Sequence, residues 1–327
     1  GMSRVGIKGV PIGATIALAI VASLLLASCQ PEEKKSIRIA EQFGLAYAPL
    51  TVMKEYRLLE EALPDYDVTW SRLTNAASIR EAMLADRLDL GFMGIPPFLI
   101  GADRGMEWQI FVALSEVPVG LVVMDEGLGS LEALSEAEAR IALPQPGSIQ
   151  HILLAMEAER RFGDASFFDE QLVTLSHPDA SQALISNSGV DAHFATPPYL
   201  RELISEHGGY LVLEGSDAFG GTFTFAVGVG SSNYLEENPE AIEAFRRALE
   251  KAASLLDEEE AVAALAEAYG EDIDWLREQL AGERLQYGRT LSGVARFSSF
   301  MNQVGYLESD IAARIPLVFS PMEESKE

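Results

Sequence analysis

A chain of 327 residues, 48% of them hydrophobic, is long enough to bury two cores of ordinary domain size. Its 24 Lys and Arg are outweighed by 50 Asp and Glu, a formal net charge of -26. So acidic a surface repels nucleic acid and anionic lipid headgroups, and no basic stripe offsets it.

The first residues read as a leader. Gly1 ahead of Met2 reads as a tag residue; Arg4 and Lys8 then precede an apolar run over 11–26 that is broken by small residues. Leu26-Ala27-Ser28-Cys29 resembles the lipobox of bacterial lipoproteins, and Cys29 is the single cysteine, so it has no partner for an internal disulfide. The run falls short of the roughly 20 apolar residues that span a bilayer. Residues 1–28 are therefore expected to be a signal peptide, and 29–36 a lipidated Cys29 with a polar leash. The mature protein is expected to be extracytoplasmic and tethered to the membrane through that lipid.

From residue 37 onward, short apolar runs alternate with helical patterns, the signature of βαβ units and mostly parallel sheets. Strands are predicted at 37–40, 66–70, 90–92 and 109–113. Helices are predicted at 52–62, 76–85 and from Pro97, whose missing N–H is harmless in a first turn. A second series has strands at 121–124, 141–143, 171–175, 192–195 and 210–213, and helices at 148–162 and from Ala180 and Pro198. The 148–162 helix carries Ile149, Ile152, Leu153 and Met156 on one face, with Gly163 where a C-cap glycine belongs. An alternating strand at 222–229 precedes a helical tail. There Asn238-Pro239 reads as a cap and first-turn proline, and Ile242, Phe245, Leu249 and Leu256 form a core stripe. Further helices are predicted at 259–269, 273–281 and 291–304, and the acidic run from Asp257 to Glu260 reads as a solvated junction.

Two segments echo each other. Asp89-Leu90-Gly91-Phe92 runs on to Ile95-Pro96-Pro97-Phe98-Leu99, and Asp191-Ala192-His193-Phe194 to Thr196-Pro197-Pro198-Tyr199-Leu200. The two aspartates are 102 positions apart, an offset that sets Asn75 opposite His177. This reads as two lobes built on one βαβ plan. Ligands of such sheets sit outside the carboxyl ends of the strands, so both Pro-Pro turns and both helix starts would line one cleft.

The order of these elements, Pro146-Gly147-Ser148 opening a helix, and Ala183-Leu184 with Val190-Asp191-Ala192 ahead of Pro198-Tyr199 together resemble the nitrate/sulfonate/taurine and thiamine-precursor family of periplasmic binding proteins. The resemblance covers about 37–257 plus the tail. It implies an α/β, periplasmic-binding-protein-like (type II) fold: two α/β lobes joined by two crossing strands, with a helical C-terminal tail. Lobe one would be 37–117 plus 224–327, lobe two 118–223, and the crossings 116–122 and 221–226. The implied function is a solute-binding lipoprotein of an ABC importer. It would close on a small nitrate-, sulfonate- or taurine-like molecule, or a heterocyclic thiamine-precursor-like one, and as a monomer would present it to a membrane permease. Thr196-Pro197-Pro198-Tyr199 departs from many relatives, which carry an aromatic and an acidic residue ahead of Pro-Tyr; that leaves ligand identity open.

The cleft residues follow from position. The helix start after Gln145 offers unpaired N–H groups and a positive dipole end; Gly147 permits close approach, and Ser148 either caps its helix or bonds a ligand. His151 falls in that helix's first turn, where the dipole disfavours imidazolium. His177 and His193 fall at predicted cleft-facing ends and His207 in a loop. These spacings are long and lack a thiol or acidic set, so neither metal nor cofactor is expected. Phe43 and Tyr47 follow the first strand, and Phe98 and Tyr199 the two Pro-Pro turns. Asn75, Met93, Pro96, Pro97, Thr196, Pro197 and Thr222 complete the expected ligand-binding set. Arg72 alone is a cation near the cleft edge. Such a pocket suits a neutral, heterocyclic or weakly anionic ligand, because a strong anion usually recruits arginine forks.

Two other functions use the same frame: an enzyme of the menaquinone- or thiamine-pathway type, and a ligand-sensing partner of a membrane receptor. No nucleophile–base pair or metal set supports catalysis, and a lipid anchor suits a tethered receptor better.

Overall fold

The computed structural model describes residues 1, 2, 33–282, 285–288, 290–319 and 322. The expected leader and Cys29 lie outside the described residues. Residues 36–327 form one compact unit, and no described helix is long and apolar enough to cross a membrane.

The first series is β1 (Lys35–Glu41), α1 (Ala48–Glu55), α2 (Leu58–Ala62), β2 (Tyr66–Arg72), α3 (Ala76–Leu84), β3 (Leu90–Gly94), α4 (Ile95–Asp103) and β4 (Trp108–Glu116). The second is β5 (Gly120–Val123), α5 (Leu131–Glu136), β6 (Ile141–Leu143), α6 (Ile149–Phe162), β7 (Leu172–Thr174), α7 (His177–Ile185), β8 (Ala192–Ala195), α8 (Tyr199–Ser205), β9 (Tyr210–Glu214) and α9 (Gly215–Phe219). The chain then returns through β10 (Ala226–Ser231), α10 (Ser232–Glu237), α11 (Pro239–Leu255), α12 (Glu259–Tyr269), α13 (Ile273–Gly282), β11 (Gln286–Tyr287) and α14 (Val294–Gln303).

Two sheets result, ordered β11-β4-β10-β3-β1-β2 and β7-β6-β8-β5-β9. The expectation of mostly parallel sheets is corrected: both are mixed. β1 with β3, and β6 with β7 and β8, are parallel, but β10 runs antiparallel to β3 and β4, and β5 antiparallel to β8 and β9. The physical reason lies in how β5 and β10 arrive. Each enters its sheet from the opposite lobe, and so is free of the helical crossover that makes consecutive strands parallel. Each sheet thus borrows its fourth strand, and the two crossings tie the lobes together.

Within each lobe, helices seal the sheet faces. Phe245 on α11 stacks on Phe92 at 5.7 Å and meets Phe111 edge-on at 5.3 Å, so the predicted stripe packs against β3 and β4. Three local expectations change. The helix predicted at 52–62 is broken by Arg57 in the left-handed region (φ 50°), which brings Leu58 and Leu59 back into the core. The strand predicted at 222–229 begins only at Ala226, because Thr224 exchanges hydrogen bonds with Ser292 of the tail instead of a strand neighbour. Asn238 precedes α11 without capping it; its side chain bonds Tyr66 and the Tyr234 carbonyl.

The internal echo is visible in the hydrogen bonds. Asp89 accepts the amide of Arg38 at 2.8 Å, and Asp191 that of Arg140 at 2.8 Å. The amide of Leu73 donates to Glu41, and that of Leu175 to Leu143, at the same offset. The helices before β3 and β8 differ by one position. Asn75 caps α3 and Ser176 caps α7, and both helices end in a left-handed residue, Asp86 and Asn187, each at φ 53°. Asn75 therefore corresponds to Ser176, and the pairing of Asn75 with His177 is corrected; the extra residue lies in the turn 187–191.

Candidate functional site

A small cavity, about 20 Å³, opens where the strands of both sheets end. β1 delivers Gln42 and Phe43, with Tyr47 just beyond, and β3 ends at Gly94 with Pro97 in the first turn of α4. From the other lobe β6 leads into Pro144 and Gln145, α6 opens with Ser148, Ile149 and Gln150, and α7 with His177; Phe225 comes from the returning crossing. Strand ends turning into helix starts aim unpaired N–H groups and positive dipole ends at the same space.

The lobes meet around it. The amide of Ala77 on α3 donates to Oε1 of Gln145 at 2.8 Å, and the amide of Leu45 to the carbonyl of Pro197 at 2.9 Å. A Cβ on Gly94 would lie 3.1 Å from Cβ of Ile149 on the opposite lobe, so that close approach favours a glycine.

Of the expected residues, Phe43, Tyr47, Pro97, Gln145, Ser148 and His177 line the cavity. Asn75 caps α3 at its rim and reaches toward the Pro144 carbonyl at 3.5 Å. Met93 and Pro96 are buried behind the wall. Thr196 and Pro197 sit against Gly44 at the seam between lobes, and the Tyr199 ring stacks over His177 with centroids 6.0 Å apart. His193 is fully buried beneath His177.

Three of the expected residues lie outside this lining. Gly147 and His151 do not face the cavity. Gly147 (φ 84°) turns its amide onto Nδ1 of His151 at 2.8 Å, while Nε2 of that ring lies 2.7 Å from Asp169. A donor at Nδ1 leaves the imidazole its Nε2–H tautomer. Tyr306 of the tail shares this group, donating to Asp169 at 3.1 Å. Thr222 is exposed and lines a different cavity of about 170 Å³ between the crossings, with Val117, Pro118 and Phe223.

Sequence reasoning missed Gln42, Ala76, Gly94, Pro144, Ile149, Gln150 and Phe225. Ile149 and Gln150 were reachable, since Pro146-Gly147-Ser148 fixes the first turn they occupy; the other positions carry no distinguishing residue type.

Electrostatically the cavity wall is neutral. Burial lowers His177 to about 4, and burial with the neighbouring His177 takes His193 well below the ordinary histidine value. Arg72 is committed elsewhere: it pairs with Glu41 at 3.0 Å and lies over the rings of Phe43 and Tyr269 at 5.5 and 5.6 Å. Burial pushes the Glu41 carboxyl up, against the pull of Arg72.

The profile of the NMT1-like family matches residues 30–270. A putative aliphatic sulfonates-binding protein of Bacillus subtilis is 24% identical over 255 residues, 73% of this chain and 72% of that protein. Among solved structures, the alkanesulfonate-binding protein SsuA from Xanthomonas axonopodis pv. citri, bound to MOPS, superposes with a TM-score of 0.69 at 23% identity, covering 86% of this chain and 96% of that one. The ligand-binding component of an ABC-type import system from Staphylococcus aureus gives a TM-score of 0.68 at 16% identity, covering 89% of this chain and 100% of that one. The shared fold is that of the periplasmic binding proteins.

Proposed function

Because the chain belongs to the NMT1-like family, we propose that it is the extracytoplasmic solute receptor of an ABC importer, and not an enzyme. The carrying observation is the cavity at the strand ends, walled by both lobes and bridged by Ala77–Gln145 and Leu45–Pro197. The solute is a small sulfonate-like molecule, as the names of the relatives suggest, or one of the related nitrate- or thiamine-precursor-like solutes. It binds between open lobes (37–117 with 224–327, and 118–223), the crossings bend, and closure buries it; the closed form then docks as a monomer on its permease. Cys29 carries a lipid that holds the receptor at the membrane after a signal peptide is removed.

Native mass spectrometry of the purified chain should show a copurifying small molecule, and titration with ethanesulfonate should give saturable one-to-one binding with compaction in small-angle scattering. Binding without compaction would count against closure. Turnover of a bound solute would replace the receptor by an enzyme. Cys29→Ala should release the protein from membranes.

A further inference from the structure

Three glutamine side chains line the cavity, and each has one end of its amide committed. Nε2 of Gln42 donates to the carbonyl of Phe92 at 3.0 Å. A carbonyl only accepts, so the nitrogen must face it and Oε1 is left for the cavity. Gln145 is the reverse. Its Oε1 accepts the amide of Ala77 at 2.8 Å, and because an N–H only donates, Nε2 is the end left over.

Gln150 differs from both. It is 2% exposed, and its Nε2 lies 3.2 Å from Nε2 of His177. An imidazole nitrogen donates or accepts according to tautomer, so this partner does not fix the amide. Behind it, Nδ1 of His177 lies 3.0 Å from Nε2 of His193, whose Nδ1 lies 3.2 Å from Oγ of Ser181. The chain is satisfied in either direction. Either Gln150 donates to His177, His177 to His193 and His193 to Ser181, or every bond runs the opposite way. Among the described residues, Oε1 of Gln42, Nε2 of Gln145 and Oε1 of Gln150 have no hydrogen-bond partner, and all three side chains line the cavity.

We propose that these three amides are the specificity-determining groups of the cleft, Gln42 a fixed acceptor, Gln145 a fixed donor and Gln150 an adjustable one set by the His177–His193–Ser181 relay, and that the cleft therefore prefers a solute bearing a hydrogen-bond donor beside its acceptors over a simple oxyanion. This rests on the cavity being the solute site. The lining side chains are uncharged, His177 included, so the solute's polar groups are met one by one by oriented dipoles. Gln145 takes its orientation only when the lobes are together, since Ala77 lies on the other lobe. His177 and His193 are positioning residues that act through Gln150.

The relay has a signature independent of any ligand. In either direction both rings carry their proton on the same nitrogen, both on Nδ1 or both on Nε2. Long-range proton–nitrogen NMR of the full chain should show matched tautomers, and one ring of each kind would overturn the relay. For the donor preference, calorimetry with the matched pair 2-aminoethanesulfonate and ethanesulfonate should favour the aminated probe by at least about tenfold. Gln42→Met, which keeps length and removes the acceptor, should bring that ratio close to one. Gln145→Met should weaken both probes.

Equal or tighter binding of ethanesulfonate, or a preference that survives Gln42→Met, would overturn the proposal and leave the receptor reading standing. If neither probe binds, the sulfonate class is what fails. The amides are then decided on the copurifying solute in native mass spectra: its loss from Gln42→Met and Gln145→Met supports them, and its retention by both overturns them.

Discussion

The amide of Leu45 donates to the carbonyl of Pro197 at 2.9 Å, and the two residues belong to different lobes. Gly44 makes this possible. Its φ of 114° lies where only glycine is unstrained, and a Cβ there would stand 3.1 Å from the same Pro197 carbonyl. Its own carbonyl accepts from Tyr269 at 3.1 Å, and that of Leu45 from Tyr287 at 2.7 Å, so the turn has little room to give. Gly44→Ala should strain the closed form by about 1–3 kcal/mol and weaken ethanesulfonate binding roughly tenfold. Calorimetry checks this; wild-type affinity in the variant would remove the Leu45–Pro197 seam from the bound state.

Stability should fall between pH 6.5 and 4. Burial lowers His177 to about 4 in the fold against an ordinary 6.5, and His193 is likewise held well below 6.5. In that window the unfolded chain holds protons that the folded chain refuses, so acid favours unfolding. The stability is fully present above 6.5 and is lost downward, by up to about 1.4 kcal/mol per pH unit for each histidine. Glu41, whose carboxyl is pushed up, works in the opposite sense. The difference in pH slope between wild type and His177→Gln in denaturant melts isolates the histidine from it. Parallel slopes would show that His177 is not held neutral.

Much of the fold was legible because its signals are local. Gly163 and the 148–162 stripe marked α6, and the Asp-aromatic-Pro-Pro echo marked β3 and β8 as equivalent strands of the two sheets. The antiparallel strands were not legible, since nothing within 120–123 or 226–231 says which lobe supplies their neighbours. At the cleft, sequence placed the helix starts but not their faces. Ser148, Ile149, Gln150 and His151 occupy one turn, yet the first three line the cavity while the Gly147 amide draws His151 away. Glutamine carries no motif, so Gln42 and Gln150 had no marker beyond their place after a strand or a cap.

His151 should accordingly matter for folding more than for binding. It is 4% exposed, satisfies the Gly147 amide and anchors Asp169, with Tyr306 packed edge-on at 5.2 Å. His151→Ala should cost about 1–3 kcal/mol by leaving a buried N–H unpaired, and Tyr306→Phe about 1 kcal/mol. Both should keep ethanesulfonate affinity within about threefold. A large affinity loss at unchanged melting temperature would return His151 to the solute.

The repeated aspartates offer a controlled comparison inside one molecule. Asp89 and Asp191 each accept a backbone amide at 2.8 Å, but Asp89, 8% exposed, also takes Nε and Nη2 of Arg38 at 3.0 and 2.9 Å. The side chain of Arg140 is exposed and forms no such bond with Asp191. Asp89→Ala should therefore cost about 2 kcal/mol, since Arg38 loses this carboxylate and keeps only Asp86, and Asp191→Ala about 1 kcal/mol. Chemical denaturation of the two variants measures both. Equal losses would assign the aspartate's contribution to the shared backbone bond and none of it to the lobe-one ion pair.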